Sequence, residues 1–183
     1  MKIYEILGDL SSARTINIDV SQGDSGYPWF DGKPKGDWSA PSGLYVHDSR
    51  KPAKNFYKMG FDLVFDETVL ELTGDLLETA GEIFPLQVDG ASQLYIFNPT
   101  LHYDALDQTN YVPQGEFNGK PYGIKEYAFL PEMLGESSLF FLTDFGEGPL
   151  CAISGRQSND DDFISRVMKN KLTGLRMVEL WSN

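Results

Sequence analysis

The chain has few of the residues on which covalent cross-links and metal sites depend. Among 183 residues, Cys151 is the single cysteine, and His47 and His102 are the two histidines. One cysteine excludes an internal disulfide and is typical of a protein from a reducing compartment. Neither histidine has a His or Cys at the spacing of metal ligands, so we expect no metal site and no cofactor.

Long apolar runs are also lacking. No stretch approaches the roughly 18 consecutive apolar residues of a membrane-spanning helix. The first residues, MKIYEILGDLSSAR, alternate polar and apolar side chains as a strand does, and they lack the apolar core of a secretory signal. We therefore predict a cytoplasmic protein with no membrane partner.

Positive charge is scarce in this sequence. Fifteen Lys and Arg residues stand against 27 Asp and Glu residues, which gives a formal net charge of −12. Nucleic-acid binding depends on neutralising phosphates with cations, so we expect no nucleic-acid partner. An acidic surface favours solubility, and it also attracts a basic protein partner over a distance.

The central stretch, residues 61–99, predicts a strand, a helix and a hairpin around which the core is built. The apolar run at residues 63–65 predicts a strand, and either Asp66 or Thr68 suits the N-cap, with Thr68 to Glu71 fitting a capping box. Gly81 is expected to end the helix in the left-handed conformation. Asp89-Gly90 predicts a turn between strands at 83–88 and 93–97. The apolar positions that recur at helical spacing are Val69, Leu70, Leu72, Thr73, Leu76, Leu77 and Ala80.

The rest of the chain predicts many strands and a second helix. The expected strands are residues 2–7, 14–20, 44–47, 124–130, 138–145, 151–154 and 175–181. The first two should pair through a turn at Gly8-Asp9, and residues 103–107 predict a helical turn. Residues 48–58 and 111–122 predict loops, and residue 99, a proline, is expected to break the strand before it.

A second helix is predicted near the end of the chain, after Ser158. Its expected apolar face carries Phe163, Ile164, Val167 and Met168, and Gly174 is expected to cap its end. The whole pattern indicates one domain over residues 1–183. We predict an α+β fold, a mostly antiparallel sheet with two main helices and long ordered loops.

One of those loops, at about residues 22–43, is rich in Gly, Pro, Ser and Asp and should be irregular. It also holds Tyr27, Trp29, Phe30 and Trp38, which are too apolar for a free linker. The composition favours an ordered loop whose aromatic side chains pin it to the body of the protein. An exposed aromatic contact surface is the alternative.

Acidic residues are the main candidates for chemistry. Asp160 to Asp162 lack the alternating spacing of a calcium loop, which favours partners of a helix N-terminus. Glu71, Asp75, Glu78 and Glu82 are about a turn apart and favour a solvated helix face. Cys151 lies in a predicted strand, which favours a buried, inert thiol. We predict no catalytic residue, although a hydrolase whose carboxylate pair is assembled only by folding stays open.

The order of several motifs resembles the bacterial polymorphic-toxin immunity proteins of immunity family eleven. The first two motifs are FDGKPKGDW at residues 30–38 and LVFDETVLELTGDLLETAGEIFPLQV at residues 63–88. YIFNPTLHYDALD follows at residues 95–107, and LTGLRMVELW closes the chain at residues 172–181. The motifs are packing and turn patterns, and together they span nearly the whole chain.

The resemblance implies a cytoplasmic, non-enzymatic protein that binds a cognate bacterial toxin domain and occludes its active site. An acidic chain suits a toxin whose active-site face is basic. Our candidate contact residues are Asp144, Glu147, Asp104, Asp107, Trp29 and Trp38. The alternatives are a small hydrolase that uses a carboxylate pair and a regulatory protein-binding module.

Overall fold

The computed structural model of the chain describes residues 1–9, 11, 14–19, 30–47, 50–60, 62–118, 120–142, 148–156 and 162–183. Within these ranges it contains two α-helices and thirteen strands, arranged in two main sheets and a hairpin. Most neighbouring strands are antiparallel. Among the described residues, parallel pairing joins residues 102–103 to 141–142 and Thr15 to Lys58, and an isolated parallel bridge joins Tyr45 to Asp89. The predicted α+β class is confirmed.

In chain order the elements are β1 (Lys2–Gly8), β2 (Thr15–Ile18), β3 (Leu44–His47), β4 (Phe56–Met59), β5 (Asp62–Asp66), α1 (Glu67–Glu78), β6 (Gly81–Leu86), β7 (Leu94–Pro99), β8 (His102–Tyr103), β9 (Val112–Phe117), β10 (Lys120–Glu126), β11 (Leu139–Leu142), β12 (Leu150–Ser154), α2 (Phe163–Lys169) and β13 (Leu175–Ser182). A 3₁₀ helix covers Pro131–Met133. One sheet has the strand order β13-β1-β12-β11-β8, and the other has the order β3-β2-β4-β5-β7-β6. Strands β9 and β10 pair only with each other among the described strands.

Both main sheets bury apolar side chains on both faces. A central cluster joins the inner faces of the two sheets with α1 and α2, and Phe56 contacts both Phe65 and Phe163 edge-on there. Along β5, Leu63 and Phe65 enter this cluster, whereas Val64 faces a second cluster on the other side of the sheet. Side chains alternate along a strand, so each sheet needs a cover on its outer face.

Helix α1 begins after Asp66, whose side chain accepts a hydrogen bond from the Val69 amide at 3.1 Å. This confirms Asp66 as the N-cap, so the capping box that begins at Thr68 is wrong. The buried positions of the helix are Val69, Thr73, Gly74 and Leu77, and Ala80, just after the helix, is also fully buried. Leu72 and Leu76, which were expected to be part of the buried face, are only half-buried.

The predicted hairpin is confirmed as β6 and β7, with Ile83 opposite Phe97 and Leu86 opposite Leu94. Its predicted bounds are corrected, because β6 ends at Leu86 and β7 begins at Leu94, so Val88 and Gln93 lie in the loop between them. The expected left-handed helix end at Gly81 is wrong, because Gly81 begins β6 and is not among the residues of positive φ. A Cβ at Gly81 would overlap the carbonyl oxygen of Asn98, so close approach of the two strands requires glycine there. Strand β7 also continues through Pro99 and does not break before it.

Helix α2 begins after Asp162, which is buried and accepts a hydrogen bond from the Ser165 amide at 2.6 Å. Phe163, Ile164 and Val167 are buried as predicted, but Met168 is 68% exposed, so its place on the apolar face is wrong. Lys171, with φ of 54°, takes the left-handed position after the helix, and the predicted cap at Gly174 is wrong. A side chain at Gly174 would overlap the Phe56 carbonyl oxygen, so this glycine serves strand packing.

Several predicted elements are corrected by long-range pairing. Strands β1 and β2 do not form a pair, because β1 lies between β12 and β13 in one sheet and β2 belongs to the other. Residues 103–107 are not helical, since Leu106 forms a bridge with Phe129. Residues 111–122, predicted as a loop, hold most of the hairpin β9–β10, and residues 56–58 belong to β4. The strand expected to reach residue 130 ends at Glu126.

The longest of the described helices has 12 residues, and none is long and apolar enough to cross a bilayer.

Leu77→Ala is expected to lower the free energy of unfolding by about 2–5 kcal/mol, the usual range when a fully buried leucine is truncated. Leu77 has no exposed surface and packs in the central cluster, whereas Leu76 is half-buried at its margin. Leu76→Ala should therefore cost less. Urea denaturation of the two variants decides the point, and an equal or larger loss for Leu76→Ala would contradict this orientation of α1.

Candidate functional site

Residues 30–38, which we call the strap, lie across the outer face of the six-stranded sheet. Phe30, Trp38 and Phe84 stack on one another, with the rings of Trp38 and Phe84 4.5 Å apart. The indole Nε1 of Trp38 donates to the carbonyl of Pro85 at 3.1 Å. For Phe30 and Trp38, aromatic packing against the body of the protein is confirmed, and Trp38 is half-buried.

A polar network around Asn98 fastens the strap to β6 and β7. Asn98 is fully buried, and its Nδ2 donates to the carbonyl of Lys33 and to the Glu82 carboxylate, each at 2.9 Å. The Lys35 amide donates to the same carboxylate at 2.8 Å. Glu82 is therefore part of the interior contact and does not belong to the solvated helix face with which it was grouped.

A second polar contact joins the strap to β8. The Nε2 atom of His102 lies 2.8 Å from the carbonyl oxygen of Gly32, and because a carbonyl only accepts, Nε2 carries the proton. Within the described chain, His102 Nδ1 and Asn98 Oδ1 are buried without a hydrogen-bond partner. The buried polar side chains of Asn98 and His102 are thus both found where the strap meets the sheets.

Asn98→Ala is expected to destabilise the protein by about 1–3 kcal/mol, because it removes a fully buried amide that donates to the Lys33 carbonyl and to the partly buried Glu82 carboxylate. It should also loosen the strap, which is seen as faster hydrogen exchange of the Lys35 amide and the Trp38 indole. As a control, Gln93→Ala removes an amide at the other end of β7, where it bonds to the Leu86 and Leu94 carbonyls. An Asn98→Ala variant whose strap protons exchange at the wild-type rate would contradict the role of this network.

The acidic contact candidates lie in different settings. Asp104 is exposed. Asp107 closes a turn, because its carboxylate accepts from the Thr109 amide at 2.9 Å and from the Asn110 side chain at 2.7 Å. The Asn110 hydrogen bond, together with the Thr109 amide, lowers the pKa of Asp107 below its ordinary value.

Other candidates lie outside the described residues. These are Asp144, Glu147, Trp29, Tyr27, Asp160 and Asp161. Asp162, the last of the three aspartates, is the N-cap of α2, as the helix-terminus interpretation predicted for this run. Among the residues whose placement is described, no group of three or more His, Cys, Asp or Glu side chains could hold a metal ion.

Sequence reasoning missed a half-buried titratable group at Glu5. Strand pairing places Glu5 opposite Cys151, which is fully buried as predicted. Burial raises the pKa of Glu5, and Arg176 opposes that shift. Burial, together with the charge of Glu5, also raises the pKa of Tyr127 to about 12 and the pKa of Cys151 above its ordinary value. Tyr127 and Cys151 therefore favour their neutral forms, and the partly buried Glu5 is harder to ionise than an exposed carboxyl.

Glu5→Gln is expected to raise stability at neutral pH. The pKa of Glu5 in the folded protein lies above its ordinary value of 4.5. Its contribution to the stability of the fold is therefore complete below pH 4.5 and is lost as the pH rises through the folded-state pKa. The variant should therefore lose less stability than the wild type when thermal unfolding is followed from about pH 4 to about pH 7. The control is Glu116→Gln, at an exposed glutamate. If the stability of Glu5→Gln depends on pH as that of the wild type does, the raised pKa of Glu5 is contradicted.

A cleft of about 370 Å³ lies between the two main sheets and is bordered by both Glu5 and Asp62. Two carboxylates in a cleft are what the hydrolase alternative requires. However, Ile6 packs in the central cluster between the sheets, and strand alternation directs the neighbouring Glu5 side chain to the outer face, towards Tyr127. Both residues border the cleft, but the side chain of Glu5 is directed away from it, so the two carboxylates do not form the pair that a hydrolase needs.

The exposed side of α1 carries a line of acidic residues. Glu67, Glu71, Asp75 and Glu78 are all exposed. The predicted solvated helix face is therefore confirmed for Glu71, Asp75 and Glu78. Asp75 forms an ion pair with Arg166 of α2, and that hydrogen bond lowers the pKa of Asp75. Within the described chain, no ion pair or hydrogen bond reaches the side chains of Glu67, Glu71 or Glu78. We call Glu67, Glu71 and Glu78 the acidic stripe.

No protein-family model matches the chain, and no curated protein matches it. The resemblance to immunity family eleven therefore stays a prediction that rests on the sequence motifs.

Proposed function

We propose that this chain is a cytoplasmic immunity protein that binds a basic toxin domain and blocks its active site without chemical change. The acidic stripe of α1 is the observation that carries this proposal. The resemblance of the motifs to immunity family eleven and the net charge of −12 support it.

Two members of the stripe, Glu71 and Glu78, oppose the stability of their own helix, whereas Glu67 lies in the first turn, where the helix dipole favours a carboxylate. Glu67 and Glu71 are four residues apart, and like charges at that spacing destabilise a helix by about 0.2–0.5 kcal/mol. Glu78 stands in the last turn, where the helix dipole disfavours a carboxylate and where α1 has no basic residue. Glu71 and Glu78 are exposed and bring no gain to the helix, and attraction of a cationic partner accounts for them.

An immunity protein needs a complementary surface and no catalytic group. Electrostatic complementarity raises the association rate and rejects wrong partners, which suits a protein that must intercept one toxin before it acts. A regulatory protein-binding module would present the same stripe. The protein encoded by the adjacent gene separates the two functions, since an immunity protein should bind it and protect cells from it.

The test is Glu71→Gln with Glu78→Gln, compared with Asp37→Asn and Asp89→Asn, which are exposed and change the net charge equally. The stripe variant should associate with the adjacent gene product more slowly, by up to about tenfold, because steering acts through local charge. Its thermal stability should stay equal or rise. Protection of co-expressing cells should fall for the stripe variant and not for the control.

Raising the salt concentration should slow association of the wild type, since the Debye length falls from about 10 Å at 0.1 M to about 3 Å at 1 M. Equal rates for both variants at every salt concentration would remove the stripe from the mechanism. If the adjacent gene product neither binds the protein nor poisons cells, the immunity function itself fails.

A further inference from the structure

The hairpin β9–β10, which we call the arm, concentrates exposed apolar side chains. Six large hydrophobic side chains are exposed among the described residues, and three of them are on the arm. Phe117 is 71% exposed, Tyr122 is 51% exposed and Val112 is 38% exposed. Scattered single hydrophobic residues are normal on a surface, but a group on one projecting element is a mark of an interaction site.

The two aromatic residues lie on one face of the arm, and that face begins in the core. Tyr122 is opposite Gly115, and Phe117 is two residues further along the same strand. A Cβ on Gly115 would come within 2.9 Å of the Tyr122 ring, so glycine lets this ring lie across the strand. Ile124, two residues from Tyr122, packs against the third apolar cluster on the outer face of the five-stranded sheet. The apolar face thus runs from the core into solvent.

The base of the arm is held in place before any partner binds. The Asp107 amide donates to the Ala128 carbonyl at 2.8 Å, and the Leu130 amide donates to the Ala105 carbonyl at 2.9 Å. The Asp107 carboxylate orders the turn that leads into β9. A surface that is ordered in advance loses less conformational entropy on binding.

Charge decides which partner fits this surface. Residues 104–136 contain six carboxylates and two lysines, and the whole chain carries a net charge of −12. A second copy of the chain would bring a further −12 to the same surface, and such self-repulsion keeps proteins monomeric. A partner of opposite charge gains attraction at the rim of the aromatic contact.

We propose that the arm is a docking surface for a basic protein domain, with Phe117 and Tyr122 as apolar anchors. This inference rests on the proposed binding function and adds the surface that holds the partner. Asp104 and Asp107, at the base of the arm, belong to its acidic rim.

The experiment compares Phe117→Ser combined with Tyr122→Ser against Met168→Ser, a control on α2 with similar exposure, 68%. The probe is the purified product of the adjacent gene, and calorimetry gives Kd while thermal unfolding checks the fold. The arm variant should bind about tenfold more weakly or worse, the scale of an aromatic anchor at an interface. The control should bind as the wild type does, and equal affinity of all three proteins would overturn the arm while the immunity function stands.

Substitutions of opposite charge at Phe117 test whether the partner is basic. Phe117→Arg should weaken binding more than Phe117→Glu, because arginine repels a basic partner. The reverse order would overturn the charge argument, and sedimentation that shows a wild-type dimer dissociated by Phe117→Arg would assign the arm to a second copy instead.

If the adjacent gene product does not bind the wild type, the proposed function fails and the arm is decided separately. A photo-crosslinking amino acid is placed at position 117 in cells, with position 168 as control. A basic protein captured only from position 117 keeps the arm proposal if its purified form binds the wild type and binds Phe117→Arg more weakly. The same adducts from both positions would overturn it.

Discussion

The burial of apolar side chains on both faces of both main sheets is the constraint on which the rest of the structure depends. Val64 and Ile153 are fully buried, yet both point away from the central cluster. Leaving one such side chain in water would forgo about 1.5–3 kcal/mol, so each outer face needs a cover. The strap covers one sheet and residues 103–134 cover the other. These covers contain much irregular backbone, and side-chain bonds such as that from Asn98 to Lys33 hold them in place.

The parts of the fold that the sequence predicts are those fixed by neighbouring residues. Asp66 caps α1 through its own first turn, and Asp89-Gly90 joins two strands that are adjacent in the chain. The failures involve distant partners. Gly81 and Gly174 are required by the carbonyls of Asn98 and Phe56, far away in sequence, and not by a helix end. Most of the arm, residues 112–122, was predicted as a loop because its prolines and glycines are turn signals. A two-stranded ribbon has open edges, however, where proline is tolerated.

The candidate site was predicted only in part, for the same reason. An aromatic residue in a polar loop signals packing, and Trp38 packs as expected. Asn98 is a single amide in an apolar strand, which is a weaker indication of a role in packing. Its partners, Glu82 and Lys33, are distant in sequence and cannot be identified before the fold is known. The exposure of Phe117 depends on the arm projecting beyond Ile124, which no local pattern encodes. Asp144 and Glu147 lie outside the described residues and stay predictions.

Charge and apolar contact have separate tasks in the proposed mechanism. A stripe of carboxylates acts at a distance and changes how often a basic partner arrives in the right orientation, whereas buried aromatic anchors change how long it stays. The ion pair between Asp75 and Arg166 joins α1 to α2 and neutralises one carboxylate of the line, so Glu67, Glu71 and Glu78 carry its remaining charge. Fast capture and slow release are both required of an inhibitor of a lethal enzyme, and neither the stripe nor the arm supplies both. In the proposed mechanism the stripe therefore accounts for fast capture and the arm for slow release.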